Sequence, residues 1–287
     1  MSVPLLNPIL TKENKDFLYH LGIEKSTTDL PKRFGDVKFV CTGGSSTRLA
    51  LYAKWFAKDC GLDCSENLCN GDRFVMYKTG PVLWINVRIG VASLSIVLIE
   101  VIKLLHYAKA VDVTFFRIGT CGGIGIPPGT LVISTSAVNG ELKQEYVQYI
   151  MGKRVTRPAI LDENLRKEIG EFAQKIDISV VSGKTMACDD FYEGQARLDG
   201  AFCDYTANEK TNFLNHLKEL GIRNIEMESV CFAALLHRAN IKAAIVCVTL
   251  IDRTKGDQIK INKLQYEEFE SKPFNLIKLF IRQKLNI

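Results

Sequence analysis

Between residues 111 and 133 the chain reads VDVTFFRIGTCGGIGIPPGTLVI. The apolar run 113–118, broken by Arg117, has the character of a strand buried on both faces, as in a parallel sheet. Gly119, Gly122, Gly123 and Gly125 follow within seven residues. Glycines that dense let the backbone reach positive φ and approach a ligand closely. Successive N–H groups in such a loop form a nest for an anion, to which Arg117 and the Thr120 hydroxyl add a charge and a donor. After Pro127-Pro128-Gly129 the apolar run 131–134 predicts a second strand. That order excludes a Walker loop, which needs a Lys after the glycines, and a dinucleotide fingerprint, which needs a helix there. The plainer alternative is a glycine-rich β-turn with no ligand. A charge inside a buried strand requires a partner, which favours the anion site.

Strand, turn and helix patterns alternate along the rest of the chain, with no Pro/Ser linker and no internal repeat. The expectation is one α/β domain over residues 1–287 with a largely parallel sheet covered on both faces. The length and a 47% hydrophobic content suffice for such a core. Residues 37–41 predict a strand that runs into TGGSSTR (42–48) and a helix over 49–60. A helix N-terminus there can receive an anion, or be capped conventionally with Arg48 solvated. Strands are predicted over 73–77 and 82–87, then a Ser93 N-cap and a buried helix over 94–107. A short helical pattern surrounds Phe17, Leu18 and Leu21. Residues 142–152 are amphipathic, and 161–176 form a clearer helix, as do 208–220, 229–239 and 265–285. Strands are predicted over 179–182 and 243–250. The aperiodic, aromatic stretch 186–200 predicts a loop of functional length, and 251–261 a charged loop.

The net charge of +5 is spread along the chain. It fits an anionic small substrate and no nucleic-acid tail. Cys60, Cys64 and Cys69 have no histidine near them, so no zinc site is expected. Scattered thiols without a CxxC pair fit a reducing, cytoplasmic setting. The N-terminus lacks the pattern of a signal peptide, and no uncharged apolar stretch reaches membrane-spanning length.

Three arginines stand at element ends beside glycine: Arg48, Arg73 and Arg117. Brought together, they would hold a phosphate-sized dianion. Gln195 and Arg197, if extended, point to the same side. Their amide and guanidinium donors match an imide such as O2–N3–O4 of uracil, although a surface loop with solvated polar groups has the same residues. Glu226 and Glu228 precede a buried helix. Either they cap it, or Glu228 accepts from a diol with Met227 packed against the sugar. His20, a lone histidine, reads as structural or solvated on its residues alone.

The segments RIGTCGGIG (117–125), FYEGQARLDG (191–200) and IEMES (225–229), supported by FVCTGGSSTR and GDRFVMYKTGPVL, resemble the uridine phosphorylase branch of the nucleoside phosphorylase superfamily. The similarity covers nearly the whole chain. FYEGQ-x-R-LDG is specific to the pyrimidine branch, and the glycine stretch marks the superfamily more broadly. The resemblance implies a three-layer α/β/α sandwich with a mixed central sheet, and a homodimer whose active sites are shared. It implies that Gly44, Arg73, Arg117 and Thr120 hold phosphate together with the partner subunit's Arg48. Met227 and Glu228 would hold ribose with the partner subunit's His20. Phe191, Gln195 and Arg197 would hold the base, and Arg253 would belong to a mobile lid after the last strand. The implied reaction is reversible phosphorolysis of uridine to uracil and ribose 1-phosphate in pyrimidine salvage. Arg117, Gln195 and Arg197 would be catalytic, phosphate a co-substrate, and no metal or organic cofactor needed. The runners-up are a purine nucleoside or methylthioadenosine phosphorylase and a nucleoside-binding homologue with little turnover. Two departures from the family pattern stand out, the first of which also has Val101 in place of the usual Leu. Asn86 and Arg88 stand where small residues are usual, which places a bulky cation near the expected site. Asp252 precedes Arg253 where pyrimidine members usually carry Asn; in purine members that Asp protonates the leaving base. Beside Arg253 it is expected to be ionised by its neighbour.

Overall fold

The computed structural model describes residues 1–10, 12 and 15–287. These divide into one unit of Met1–Arg117, Leu235–Ala243 and Ile281–Ile287, and a second of Ile118–Ala234 and Ala244–Phe280.

The first unit opens with a two-stranded antiparallel ribbon, β1 (Phe17–Leu18) and β2 (Ile23–Glu24). The predicted helical pattern at Phe17, Leu18 and Leu21 is therefore corrected. Gly22 turns the chain at φ 66°, and its N–H bonds Leu18 O at 2.8 Å, which closes a turn instead of a helix. After a short helix α1 (Leu30–Phe34) comes β3 (Phe39–Gly43), wholly buried. Helix α2 (Ser46–Cys60) is capped by Ser45, whose side chain accepts from Arg48 N, and is stopped by Gly61 at φ 63°. It buries Leu49, Tyr52, Ala53, Phe56 and Ala57, a one-faced i, i+3, i+4 stripe. The edge strand β4 (Met76–Thr79) pairs antiparallel with β5 (Val82–Asn86). Helix α3 (Val91–Tyr107) starts after Gly90, at φ 87°, and not at Ser93. β6 (Thr114–Gly123) contributes Thr114–Arg117 here, parallel to β3. The order is β6-β3-β5-β4.

The second unit contains the rest of β6, then β7 (Leu131–Val138), which is longer than the predicted 131–134. The amphipathic stretch 142–152 is a hairpin: β8 (Glu145–Ile150) pairs antiparallel with β9 (Lys153–Pro158). Its two-residue loop, Met151 and Gly152, has both φ positive, at 50° and 74°. That is the geometry which matches the strand twist. The Tyr and Val content of β8 favours a strand once such a loop exists. Helix α4 (Glu163–Lys175) is capped by Asp162. β10 (Val180–Ala187) runs on beyond 179–182 because it pairs parallel with both β7 and β11 (Ile222–Glu226). Between them, helix α5 (Ala207–Glu219) begins with a Thr206/Glu209 capping box. Helix α6 (Ser229–Arg238), β12 (Lys242–Asp252) and α7 (Lys263–Leu285) complete the chain.

In this unit β11-β10-β7-β12-β6 lie in order, and β11 also pairs with β6, so the five strands close on themselves. The fold is α/β with a mixed sheet. The largely parallel sheet of the sequence reading is corrected by the antiparallel pairs β4–β5, β6–β11 and β7–β12. Among the described residues no helix is long and apolar enough to cross a membrane.

Candidate active site

The glycine stretch is not the expected loop. Gly119, Gly122 and Gly123 lie within β6 and hold extended backbone; of the four, only Gly125 has a left-handed φ, 65°. The nest of successive amides is thus absent there, and the glycines serve close packing. A Cβ on Gly122 would stand 2.8 Å from Arg253 Cγ, and one on Gly123 2.8 Å from Ile126 Cγ1. The backbone amides of Gly122 and Gly123 belong to the strand paired with Ile225 and Asn224 of β11. Thr120, partly buried, precedes them.

In the first unit, register brings the carboxyl ends of β3 and β5 level with Arg117, which lies inside β6. Thr42 of β3 pairs with Arg117 of β6, and Gly43 with Asn86 of β5. Ligands of open α/β sheets collect at such strand ends. Arg117 is only 3% exposed, so its charge is carried in a low-dielectric setting where an anion is bound strongly. Gly44 follows directly; a Cβ there would meet Arg88 O at 3.1 Å. Arg48 lies half-buried on the first turn of α2, and Arg73 is exposed in the segment before β4.

The two unusual residues brace that segment. Arg88, at φ 57°, donates from Nε to Arg73 O at 2.5 Å and from Nη2 to Asp72 O at 3.3 Å. The buried Asn86 accepts from Val75 N at 2.6 Å through Oδ1 and donates its own N–H to Val75 O at 3.2 Å. The Arg88 cation is therefore spent on carbonyls of the loop that presents Arg73.

His20 is structurally held, yet not only by its own element. Its Nδ1 lies 2.7 Å from Glu100 Oε1, and Glu100 also accepts from His20 N and from Leu21 N at 2.9 Å. With Nδ1 so engaged, Nε2 is the ring nitrogen left to meet a ligand. Glu100 was not singled out in the sequence. Its signal was a carboxylate among the buried apolar positions of α3.

In the second unit the base-binding candidates converge. Gln195 ends a 3-10 turn, Glu193–Gln195, and is 4% exposed. Ala196 follows at φ 52°, so residues 195–197 are kinked and the extended, same-side reading is corrected. Arg197 folds its fork onto Asp199, Nε to Oδ1 at 2.8 Å and Nη2 to Oδ2 at 2.7 Å, and lies over the Phe191 ring at 4.4 Å. The Arg197 guanidinium holds the Asp199 carboxyl below the usual carboxylate range. What the fork can still offer a ligand is its Nη1 edge.

Arg253 is enclosed. It is 1% exposed, ending β12 in a 3-10 turn, and donates from Nη2 to Gln195 O at 2.7 Å and from Nη1 to Gln195 Oε1 at 3.4 Å. Its carboxylate partner is Asp257, at 3.0 Å, and not Asp252. Asp252 Oδ1 instead accepts from Gly125 N at 3.1 Å and from Thr254 N and Oγ1 at 3.1 and 2.7 Å. It caps the turn and ties down the glycine segment.

Of the two glutamates, Glu226 is the cap: its carboxylate accepts from Glu228 N at 3.0 Å and Ser229 N at 2.8 Å. Glu228, buried, and half-buried Met227 stand beside that cap. Lys210 and Asp257, described below, are further residues that the sequence reading missed.

The sequence model of the phosphorylase superfamily matches residues 38–282. A uridine and thymidine phosphorylase of Caenorhabditis elegans is 55% identical over 276 residues, covering 96% of this chain and 94% of that protein. Uridine phosphorylase 2 of Homo sapiens is 45% identical over 291 residues, 99% of this chain and 92% of that protein. The crystal structure of uridine phosphorylase from Schistosoma mansoni in complex with uracil superposes with a TM-score of 0.94 at 40% identity, over 98% of this chain and 99% of that one.

Proposed function

Because the chain belongs to the phosphorylase superfamily, we propose that it is a uridine phosphorylase, converting uridine and phosphate reversibly to uracil and ribose 1-phosphate. The observation that carries this reading is the buried amide of Gln195, fixed by Arg253 beside Arg197. Near-complete similarity to proteins named for that activity supports it. Gly44, Arg48, Arg73, Arg117 and Thr120 bind the phosphate dianion and aim one oxygen at the anomeric carbon. Met227 and Glu228, with His20, hold the ribose as the glycosidic bond lengthens through an oxocarbenium-like state. Gln195 and the open edge of Arg197 stabilise the negative charge that develops on the uracil oxygens, over Phe191. Arg253 acts from behind, through Gln195. No step needs a metal or organic cofactor, because the nucleophile is phosphate and the leaving group a delocalised anion. The enzyme works as a homodimer with shared sites, in cytoplasmic pyrimidine salvage.

The purine alternative is disfavoured by Asp252, whose Oδ1 is engaged by three donors. Initial rates on uridine, thymidine, inosine and adenosine, with and without phosphate, test the proposal. Phosphate-dependent release of uracil, faster than release of any purine base, is expected. Faster turnover of inosine would overturn it, and no turnover of any nucleoside would leave a binding homologue.

A further inference from the structure

Asp257 lies in the charged stretch after β12. Its side chain is 7% exposed. Oδ1 accepts from Arg253 Nε at 3.1 Å, and Oδ2 accepts from Lys210 Nζ at 2.7 Å and Leu198 N at 3.0 Å. Its backbone carbonyl accepts from Arg197 Nη2 at 2.8 Å. One residue thus joins the turn after β12, helix α5 and both sides of Arg197. Burial pushes its carboxyl up, but the Leu198 amide, Lys210 and Arg253 outweigh this and keep it below the usual range. Arg253, Lys210 and Arg197 are three cations around it. Burial above all lowers the Arg253 affinity for its proton; the Asp257 charge opposes this and the Arg197 charge adds to it. Without the carboxylate, Arg253 would lose the partner that orients it on Gln195.

We propose that Asp257 is a positioning residue for base recognition: it orients Arg253, which sets the Gln195 amide, and it fixes Arg197 through its carbonyl. With Gln195 Oε1 turned to Arg253, the amide presents Nε2 to an acceptor on the base. This rests on the assignment of Gln195 and Arg197 to the base.

Asp257→Asn keeps the volume and removes the charge. The expected result is a fall in uracil affinity and a rise in uridine KM of roughly tenfold or more, as for loss of a charge-assisted contact, with phosphate KM within about twofold of wild type. Asp257→Glu should recover part of the loss, and Lys210→Met should shift uracil affinity in the same direction by a smaller factor. Gln195→Ala, measured alongside, separates the two ideas. If Gln195→Ala leaves uracil affinity intact, the base assignment fails. If it weakens uracil binding while a folded Asp257→Asn does not, or if Asp257→Asn weakens phosphate as much as uracil, the positioning role is overturned. Should Asp257→Asn not fold, unchanged uracil affinity in folded Lys210→Met overturns it equally.

Discussion

At the scale of single residues, the charge proposed to bind phosphate is set against a charge that the fold itself uses. Arg117 is buried within β6, paired with Thr42 of β3. Arg117→Ala should abolish phosphate-dependent turnover, costing on the order of a few kcal/mol of transition-state binding, and circular dichroism should still report a folded chain. Wild-type phosphate affinity in that variant would remove the assignment. Asp252 belongs to the other class, since it caps a turn and anchors Gly125. Asn at 252 preserves the Oδ1 acceptor, so Asp252→Asn should change uridine turnover by about 1 kcal/mol or less. Gln195→Ala removes an amide from a buried site and should cost several times more. Equal losses in the two variants would move the reading to a purine phosphorylase. Arg88 was conspicuous in the sequence as a misplaced cation. The contacts that turn it toward Asp72 and Arg73 come from a chain segment 15 residues away and leave no local mark.

At the scale of elements, the loop carrying FYEGQARLDG and the turn after β12 depend on each other through Asp199 and Asp257. Both carboxyls sit below the ordinary aspartate range, Asp199 through the Arg197 hydrogen bond above all. A depressed folded-state pKa stabilises the native state above the unfolded value, near ~4. That contribution is lost as pH falls through the folded value. Thermal stability should therefore be flat from neutrality to about pH 5 and fall steeply below ~4. Asp199→Asn should flatten that acid limb in a series of melting curves, and an unchanged limb would refute the coupling. The same two elements show why the loop could be recognised from sequence but not its shape. Polar, aromatic, aperiodic residues announce a loop, whereas the left-handed Ala196 and the buried Gln195 depend on Arg253, 58 positions on.

At the scale of the whole molecule, the proposed homodimer with shared sites makes the sharpest prediction. His20→Ala and Gln195→Ala should each be inactive. If sites draw His20 from one subunit and Gln195 from the other, unfolding the two together and refolding them should restore part of the activity. A hybrid dimer then has one site with both residues intact. Mixtures as inactive as either parent, with heterodimers demonstrated by tagged pull-down, would exclude sharing.

Where burial alone dictates the pattern, the sequence determined the outcome. The stripe Leu49, Tyr52, Ala53, Phe56, Ala57 makes α2, and the mostly apolar, wholly buried run of β3 and the Thr206/Glu209 box of α5 were decided by neighbours within a few residues. The motif segments likewise named the residue types of the site. The tertiary structure decided the rest, for one reason: an extended or helical state of a short segment depends on partners that are distant in the chain. β8 and β9 become strands only because they face each other across Met151 and Gly152. The glycines of β6 are extended because Ile225 and Asn224 pair with them and the stem of Arg253 crosses Gly122. Which partner each carboxylate meets, His20 for Glu100 across 80 residues and Arg253 for Asp257 rather than for the adjacent Asp252, is set by folded geometry and not by adjacency.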